Sequence, residues 1–268
     1  MIVHNIDPVF YDLGILQIRW YSLAYIFGII IGWFYAKKII KELNKYNNPK
    51  SIKPTDFDDL IIYLVIGIIL GGRLGYIFFY NLEYYSKNLL DVLMIWEGGM
   101  SFHGGLLGVI TATLIFTKIN KTNFFIFTDI ISCVAPIGIF FGRIANFING
   151  ELYGKVSTLP WSVIFPSGGN ISRHPSQIYE ALLEGFILFI VLNFFAIKKK
   201  MLLRPGYISV LFLTVYSILR IIGENFREPD KHLGYVLNNL SMGSLLSLIT
   251  FFIGLIIIYF LKKNEQLN

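Results

Sequence analysis

The chain has little charge. Of its 268 residues, 15% are Asp, Glu, Lys or Arg, where soluble domains carry about a quarter. A water-soluble globule of this length would have too few charges to cover its surface, so that class is excluded. Cysteine is also scarce. Cys133 stands alone, which excludes a disulfide framework, and no cluster has the spacing of zinc ligands. No internal repeat is visible, which speaks against an inverted-repeat transporter. What is abundant is apolar: 55% of residues are hydrophobic and 16% aromatic, with a mean hydropathy of +0.62. The same figures exclude disordered, collagen-like and coiled-coil chains. The class left is an all-α polytopic integral membrane protein. Its net charge of +6 then belongs to cytoplasmic loops rather than to a nucleic-acid partner.

A bilayer core of about 30 Å needs roughly 20 apolar residues as helix. About seven stretches qualify, near 20–36, 60–80, 99–117, 124–146, 177–197, 206–222 and 240–261. They are expected to form a single transmembrane domain over 1–268. The N-terminus lacks a basic segment and carries Asp7 and Asp12, so it does not read as a cleaved signal peptide. Fourteen of the 23 Lys and Arg fall in connection 37–53, connection 118–121, connection 198–204 and the C-terminal tail. The alternate connections hold six: Arg19, Lys87, Lys155, Arg173, Arg227 and Lys231. The positive-inside rule places the N-terminus outside and the C-terminus in the cytoplasm. Connection 147–176, between spans 4 and 5, is then a small extracellular head.

The remaining three cations, Arg73, Arg143 and Arg220, lie within spans, where a charge is expensive. Arg73 stands about 13 residues, or about 20 Å, past the inner end of its span. Arg143, Arg220, His103, Tyr21, Gln177, Glu180 and Glu184 all fall in the outer half by the same arithmetic. That depth fits a polar cavity facing the outer leaflet. Tyr216, Arg220, Glu224 and Arg227 share one helical face if the helix continues. Gly67, Gly71 and Gly75 form a stripe that permits close helix approach. Plainer readings stand beside these. An arginine at a helix end can snorkel to lipid phosphates. Glu180 and Glu184 read as pins between helices, and Arg73 as a structural partner of Glu97 or Glu180. Tyr21 alone reads as an interface aromatic, and Cys133 as a packed residue. Asp129 is expected to reach the cytoplasmic interface. His4 and His232 suggest no role.

Two segments are too polar for plain spans. One runs from Glu97 to Gly108 and sets His103 among glycines, which permit tight turns and close substrate approach. The other is Gly142-Arg143-Ile-Ala-Asn146-Phe-Ile-Asn149-Gly150-Glu151-Leu-Tyr-Gly154. On a helix Arg143, Asn146 and Gly150 share a face, and a guanidinium beside amides suits phosphate oxygens. With Trp20-Tyr21, Gly71-Gly72-Arg73-Leu-Gly75-Tyr76, Arg173-His174-Pro-Ser-Gln and Tyr216…Arg220…Glu224…Arg227-Glu-Pro-Asp230, these segments resemble the bacterial prolipoprotein diacylglyceryl transferases. The likeness covers nearly the whole chain. Three departures stand out: Glu97 where Asp is common, Ser22 where Gly is common, and a short head. The short head leaves open how the peptide substrate is gripped.

The resemblance implies transfer of the diacylglyceryl group of phosphatidylglycerol to the lipobox cysteine of a prolipoprotein. A thioether forms and glycerol 1-phosphate leaves. The nucleophile belongs to the substrate, so no catalytic cysteine is needed. A thiol with a pKa near 8.5 needs a base or a positive field to ionise at neutral pH. The departing phosphate gathers negative charge, which guanidinium groups stabilise. Arg143 and Arg220 are the candidates for that clamp. His103 is either the general base, a hydrogen-bonding partner of the head group or a pin of the Gly-rich turn. Tyr21, Asn146, Glu151 and Tyr216 are candidate lipid contacts, with Glu151 either orienting Arg143 or meeting the peptide. Arg73, Asn149, Gly150, Gly154, Glu180, Glu224 and Arg227 are candidate supports. No metal or organic cofactor is implied. The partners are phosphatidylglycerol, a prolipoprotein signal peptide and the bilayer, with the protein a monomer in the bacterial cytoplasmic membrane and its site toward the outer leaflet. A transporter would need a polar path through the whole bilayer. A phosphatidyltransferase of the CDP-alcohol type would need clustered aspartates, and span 4 holds only Asp129.

Overall fold

The computed structural model describes residues 2–14, 17–46, 52–94, 98–229 and 240–267. Glu97, Asp230, Lys50, Lys231 and His232 lie outside these described residues. The chain is an all-α polytopic membrane protein with short strands in its polar connections. Among the described residues, six helices are long and apolar enough to cross a bilayer, and a shorter apolar one joins them. With a further six-residue helix, α3, between them, these are in chain order α1 (Trp20–Asn44), α2 (Pro54–Tyr80), α3 (Leu82–Lys87), the shorter apolar α4 (Phe102–Ile119), α5 (Phe124–Ile148), α6 (Ser176–Lys198), α7 (Tyr207–Glu224) and α8 (Met242–Leu267). Their outer faces expose large apolar side chains such as Phe34, Ile62, Phe252 and Phe260, the arrangement a hydrocarbon solvent favours.

Contacts divide the chain into two compact units, Met1–Ile39 with Asp129–Asn268, and Ile40–Thr128. The smaller unit is built on the crossing of α2 and α4. The glycine stripe makes that crossing: a Cβ on Gly75 would lie 2.7 Å from Gly104 Cα, and one on Gly67 would lie 2.9 Å from Ala112 Cβ. Lipid tails are as apolar as leucine, so close backbone packing is what holds two such helices together. Gly104 and Gly108 are therefore packing residues within a regular helix. The expected irregular backbone stops earlier, at Gly98 and Gly99, whose φ values are +87° and +78°. Ser101 then caps α4, its Oγ accepting from Gly104 N at 3.2 Å. His103 consequently sits exposed in the first helical turn.

α1, α2 and α8 run well past their expected spans, α8 as far as Leu267. α1 continues through Lys37, Lys38 and Lys41 because Ala36, Ile39, Ile40 and Leu43 keep one face buried. α2 starts early, with Pro54 in its first turn and Asp56 Oδ2 accepting from Lys53 N at 2.8 Å.

In the larger unit, β1 (Ile2–Val3) pairs in parallel with β4 (Val163–Ile164), which pairs antiparallel with β5 (Ser172–Arg173). The N-terminus thus joins the 147–176 connection in one small sheet. A separate hairpin joins β2 (Val9–Asp12) to β3 (Gln17–Arg19). Within this unit α6 packs on α5 at Gly185, where a Cβ would lie 2.8 Å from Phe140 Cα. Cys133 is buried, and its carbonyl accepts from Asn193 Nδ2 at 3.2 Å. Asp129 does not reach the interface. It is 1% exposed and accepts from Gly206 N and Ser209 N, both at 2.7 Å, and from Ser209 Oγ at 2.6 Å. A carboxylate there satisfies the orphan N–H groups at the start of α7, which explains its burial.

The α2–α4 crossing generates a paired test. Gly104→Ala forces its methyl into the Gly71 and Gly75 backbone, and should destabilise the detergent-solubilised protein by about 1–3 kcal/mol despite alanine's better helix propensity. Gly105→Ala meets nothing closer than 3.9 Å and should leave the unfolding midpoint unchanged or raised.

Candidate active site

Three helix ends converge in the larger unit. α5 brings Arg143, α6 brings Glu180 and Glu184, and α7 brings Arg220 and Glu224, with Arg227 in the turn beyond. Arg143 Nη1 lies 3.0 Å from Glu180 Oε2, and its Nη2 lies 3.2 Å from Glu184 Oε2. Arg220 Nη1 is shared between Glu180 Oε1 at 2.8 Å and Glu184 Oε1 at 3.0 Å, and Nη2 pairs with Glu224. Arg227 Nη1 lies 3.4 Å from Glu180 Oε1. Ser241 Oγ donates to the second oxygen of Glu224 at 2.7 Å. Both α6 glutamates are 0% exposed, whereas the Arg143 side chain retains 17% exposure. Three guanidinium groups face three carboxylates, so the cluster is balanced in charge.

Local sequence explains the convergence. Glu180 and Glu184 are four apart on α6, which widens into a π-helical stretch over Ala181–Ile187, a local feature common at functional sites. Arg220 and Glu224 are four apart on α7. The chain then turns once more, with Phe226 N donating to Gly223 O at 3.0 Å, and this keeps Arg227 on the same face. Tyr216 lies one turn earlier, within electrostatic reach of Glu184, Arg220 and Arg143.

Beside the cluster, the Gly142-to-Gly154 segment leaves α5. Here the structure departs from the expected helical face. The helix ends at Ile148 and Gly150 adopts a φ of +64°, so Gly150 does not stack with Arg143 and Asn146. The turn instead brings Asn146 Nδ2 to Glu151 Oε1 at 2.7 Å, with Asn149 Nδ2 at 3.4 Å from the same oxygen. Glu151 therefore pairs with these amides, while the carboxylates on Arg143 are those of Glu180 and Glu184. Tyr21 and Tyr25 stack edge-on at 5.1 Å, and Tyr25 is within electrostatic reach of Glu151.

Gly154 is pinned between Phe226 and His174: a Cβ there would lie 2.7 Å from His174 Cβ. Gly154 N donates to His174 O at 2.9 Å, and Gly154 bridges Arg227 as in an antiparallel pair. Arg173 donates to Gly154 O at 3.2 Å and stacks over Tyr153. Burial, with Lys155 nearby, holds the His174 imidazole below its usual pKa.

Arg73 and His103 belong to the smaller unit. Arg73 is buried and spends its donors on backbone carbonyls, Nε to Val92 O at 3.0 Å and its terminal nitrogens to Asp91 O and Gly98 O. Its cation also faces the Tyr85 ring. It fastens Asp91, Val92 and Gly98 to α2 through their carbonyls, while Glu97, one of its expected partners, lies outside the described residues.

Two residues of this neighbourhood, His4 and Ser241, gave no functional signal in the sequence, and a third, Gln177, stood out there only as a polar residue at the depth of the cavity. His4 is buried between Phe147 and Phe165, under Gly150. Gln177 Nε2 donates to Glu151 O at 2.6 Å, and Ser241 holds Glu224. Only the chain's return across long sequence separations brings them here. Glu184 differs, since its spacing from Glu180 marks a shared face and hence a common partner.

A family model for prolipoprotein diacylglyceryl transferase matches residues 8–260. The chain is 49% identical over 261 residues to the phosphatidylglycerol–prolipoprotein diacylglyceryl transferase of Rickettsia bellii, covering 97% of this chain and 96% of that protein. It is 50% identical over 250 residues to the Rickettsia akari protein of the same name, covering 93% and 95% of the two chains. The Rhizobium meliloti protein of that name is 46% identical over 253 residues, covering 94% and 90%.

The ion-pair cluster makes a stability prediction. Glu180→Ala removes a carboxylate shared by three arginines and leaves buried cations without compensation. Thermal unfolding in detergent should show a loss of about 3–5 kcal/mol, the range for breaking a buried pair. Glu83→Ala, whose ion pair with Lys87 is exposed, should change stability by no more than about 1 kcal/mol.

Proposed function

This chain belongs to the prolipoprotein diacylglyceryl transferase family, and we infer that its reaction runs at the arginine–glutamate cluster. The enzyme transfers the diacylglyceryl group of phosphatidylglycerol to the lipobox cysteine of a prolipoprotein, the first step of lipoprotein maturation. The substrate thiolate attacks an sp3 carbon of the lipid glycerol. A carbon–sulfur bond forms, the carbon–oxygen bond to phosphate breaks, and its electron pair stays with the phosphate. Since no acyl oxyanion develops, the protein has two tasks: to favour the thiolate and to stabilise the leaving phosphate.

The observation that carries this reading is the pair of guanidinium groups held in place before substrate arrives. Arg143 and Arg220 share both α6 carboxylates, which fixes their planes and separation. In a partly dry site such fixed charges stabilise a developing anion without reorganising. Arg143, the more exposed, meets the phosphodiester first, and Arg220 supports it from below. Tyr216 flanks both. Asn146, Glu151 and Tyr21 line the adjoining turn and offer hydrogen bonds to the glycerol head group. Asn149, Gly150 and Gly154 shape that turn, while Glu180, Glu224 and Arg227 keep the arginines in register. Arg73 supports the smaller unit at the 91–98 connection. His103 serves either as the base for the thiol or as a hydrogen bond to the lipid head, and its exposure at the start of α4 is compatible with both.

The protein acts as a monomer in the bacterial cytoplasmic membrane, N-terminus outside and C-terminus inside. Its site opens toward the outer leaflet, and the 147–176 head lies above it. The distribution of Lys and Arg supports that orientation.

Two expected outcomes test these roles. Arg143→Ala, at normal membrane abundance, should abolish glycerol phosphate release from phosphatidylglycerol and a lipobox peptide; retained turnover removes the clamp reading. His103→Gln should bind phosphatidylglycerol normally and lose about 10²–10⁴-fold in rate if His103 is the base. Full recovery at high pH would show that thiolate formation matters more than the placement of a proton acceptor.

A further inference from the structure

A grip on phosphate needs cations, yet both clamp arginines face buried carboxylates. Glu184 is the most telling of these. Its Oε2 lies 3.2 Å from Arg143 Nη2 and its Oε1 lies 3.0 Å from Arg220 Nη1, and the side chain is fully buried. Glu180 also serves Arg227, so part of its role is structural. The two oxygens of Glu184 face the two clamp arginines. A cluster meant only to bind an anion tightly would be stronger without it.

The reaction changes the charge of what the cluster holds. The substrate phosphodiester carries one negative charge. The released glycerol phosphate is a monoester, whose second ionisation lies near pH 6, so it is mostly a dianion at neutral pH. Against a balanced cluster, each added negative charge lacks a matching cation, and in a partly dry site that penalty grows with the charge. The substrate has a second hold, because its acyl chains stay in apolar surroundings. The product has lost them to the lipoprotein and keeps only its glycerol and phosphate.

We propose that Glu184 is a positioning residue that sets the charge of the phosphate clamp, so that the site accepts a lipid-anchored phosphodiester monoanion and expels the glycerol phosphate dianion. The proposal rests on the clamp reading of Arg143 and Arg220. Glu184 acts through those arginines: it holds them in register while charge passes from the attacking thiolate to the leaving phosphate, a step that leaves the total charge in the site unchanged, and it limits their grip on the dianion once the neutral thioether has left.

The test is product inhibition, read with the full-length protein in detergent, phosphatidylglycerol and a lipobox peptide. Glycerol 1-phosphate is added at about pH 5 and about pH 8, on either side of its second ionisation near 6. Its methyl ester, a monoanion at both values, is the control for titration of the protein itself. Relative to the methyl ester, glycerol phosphate should inhibit the wild type about tenfold more weakly at the higher pH. Glu184→Gln should erase that difference and lower both KM for phosphatidylglycerol and kcat, as product leaves more slowly. Equal or stronger relative inhibition of the wild type at the higher pH overturns the proposal. So does a Glu184→Gln enzyme with wild-type inhibition. If that variant does not accumulate, the wild-type comparison decides alone. Direct binding of labelled glycerol phosphate to Arg143→Ala separates the two readings. Wild-type binding by this variant removes the clamp itself. Lost binding, together with wild-type inhibition that does not depend on pH, removes only the role of Glu184.

Discussion

Charge in a membrane has to be matched, and that constraint organises the larger unit. Arg143 and Arg220 sit on apolar helices, where an unpartnered cation costs at least a few kcal/mol. The α6 glutamates supply the match, and doing so ties α5, α6 and α7 together at one end. A buried ion pair is weak evidence of net stability, because desolvation offsets much of the attraction. Its consequence here is geometric. Two carboxylates shared by two guanidinium groups leave few alternative arrangements, so the arginines are oriented before a lipid binds. At the other end of the same helices, Asp129 caps α7. α7 is thus held to α5 directly through Asp129 at one end and by way of the α6 glutamates at the other.

The smaller unit solves a different problem with the same economy of polar groups. Between α2 and α4 it is the glycine faces, rather than the charges at the helix ends, that let the backbones touch. Arg73 then uses its donors on the carbonyls of the connection between these helices. The Asp91 and Val92 carbonyls lie in a short 3-10 turn and the Gly98 carbonyl in irregular backbone, and such groups must find donors when water is scarce. One cation on α2 therefore does for a loop what a ladder of hydrogen bonds does for a helix.

Much of this was legible from the sequence. Length and hydropathy located the long apolar helices and α4 but not the short α3, because roughly 20 apolar residues in a row have few other uses and six mixed ones have many. The cost of buried charge singled out Arg143 and Arg220, and the four-residue spacings named Glu180, Glu184 and Glu224 as facing residues. The errors have a common cause. Asp129 was assigned to the interface because its partner, the start of α7, lies some 77 residues on. Gly150 was placed on the α5 face because periodicity does not report where a helix ends. Gly104 was read as part of a substrate turn because a glycine has the same letter whether it permits a bend or a close approach. His4 carried no local signal, because its neighbours Phe147, near the end of α5, and Phe165, in the connection beyond it, are distant in the chain.

What the sequence determined by itself is the solvent, the helices and the shortlist of charges that hydrocarbon would not tolerate unpaired. These follow from local quantities: the number of apolar residues in a row, and the presence of a cation among them. Only the tertiary structure decided who pairs with whom. It put Arg143 on two glutamates, Glu151 on two asparagines and Arg73 on carbonyls. The reason is physical. Transfer into lipid is a property of one segment at a time, whereas the neutralisation of a buried charge depends on which distant segment packs beside it.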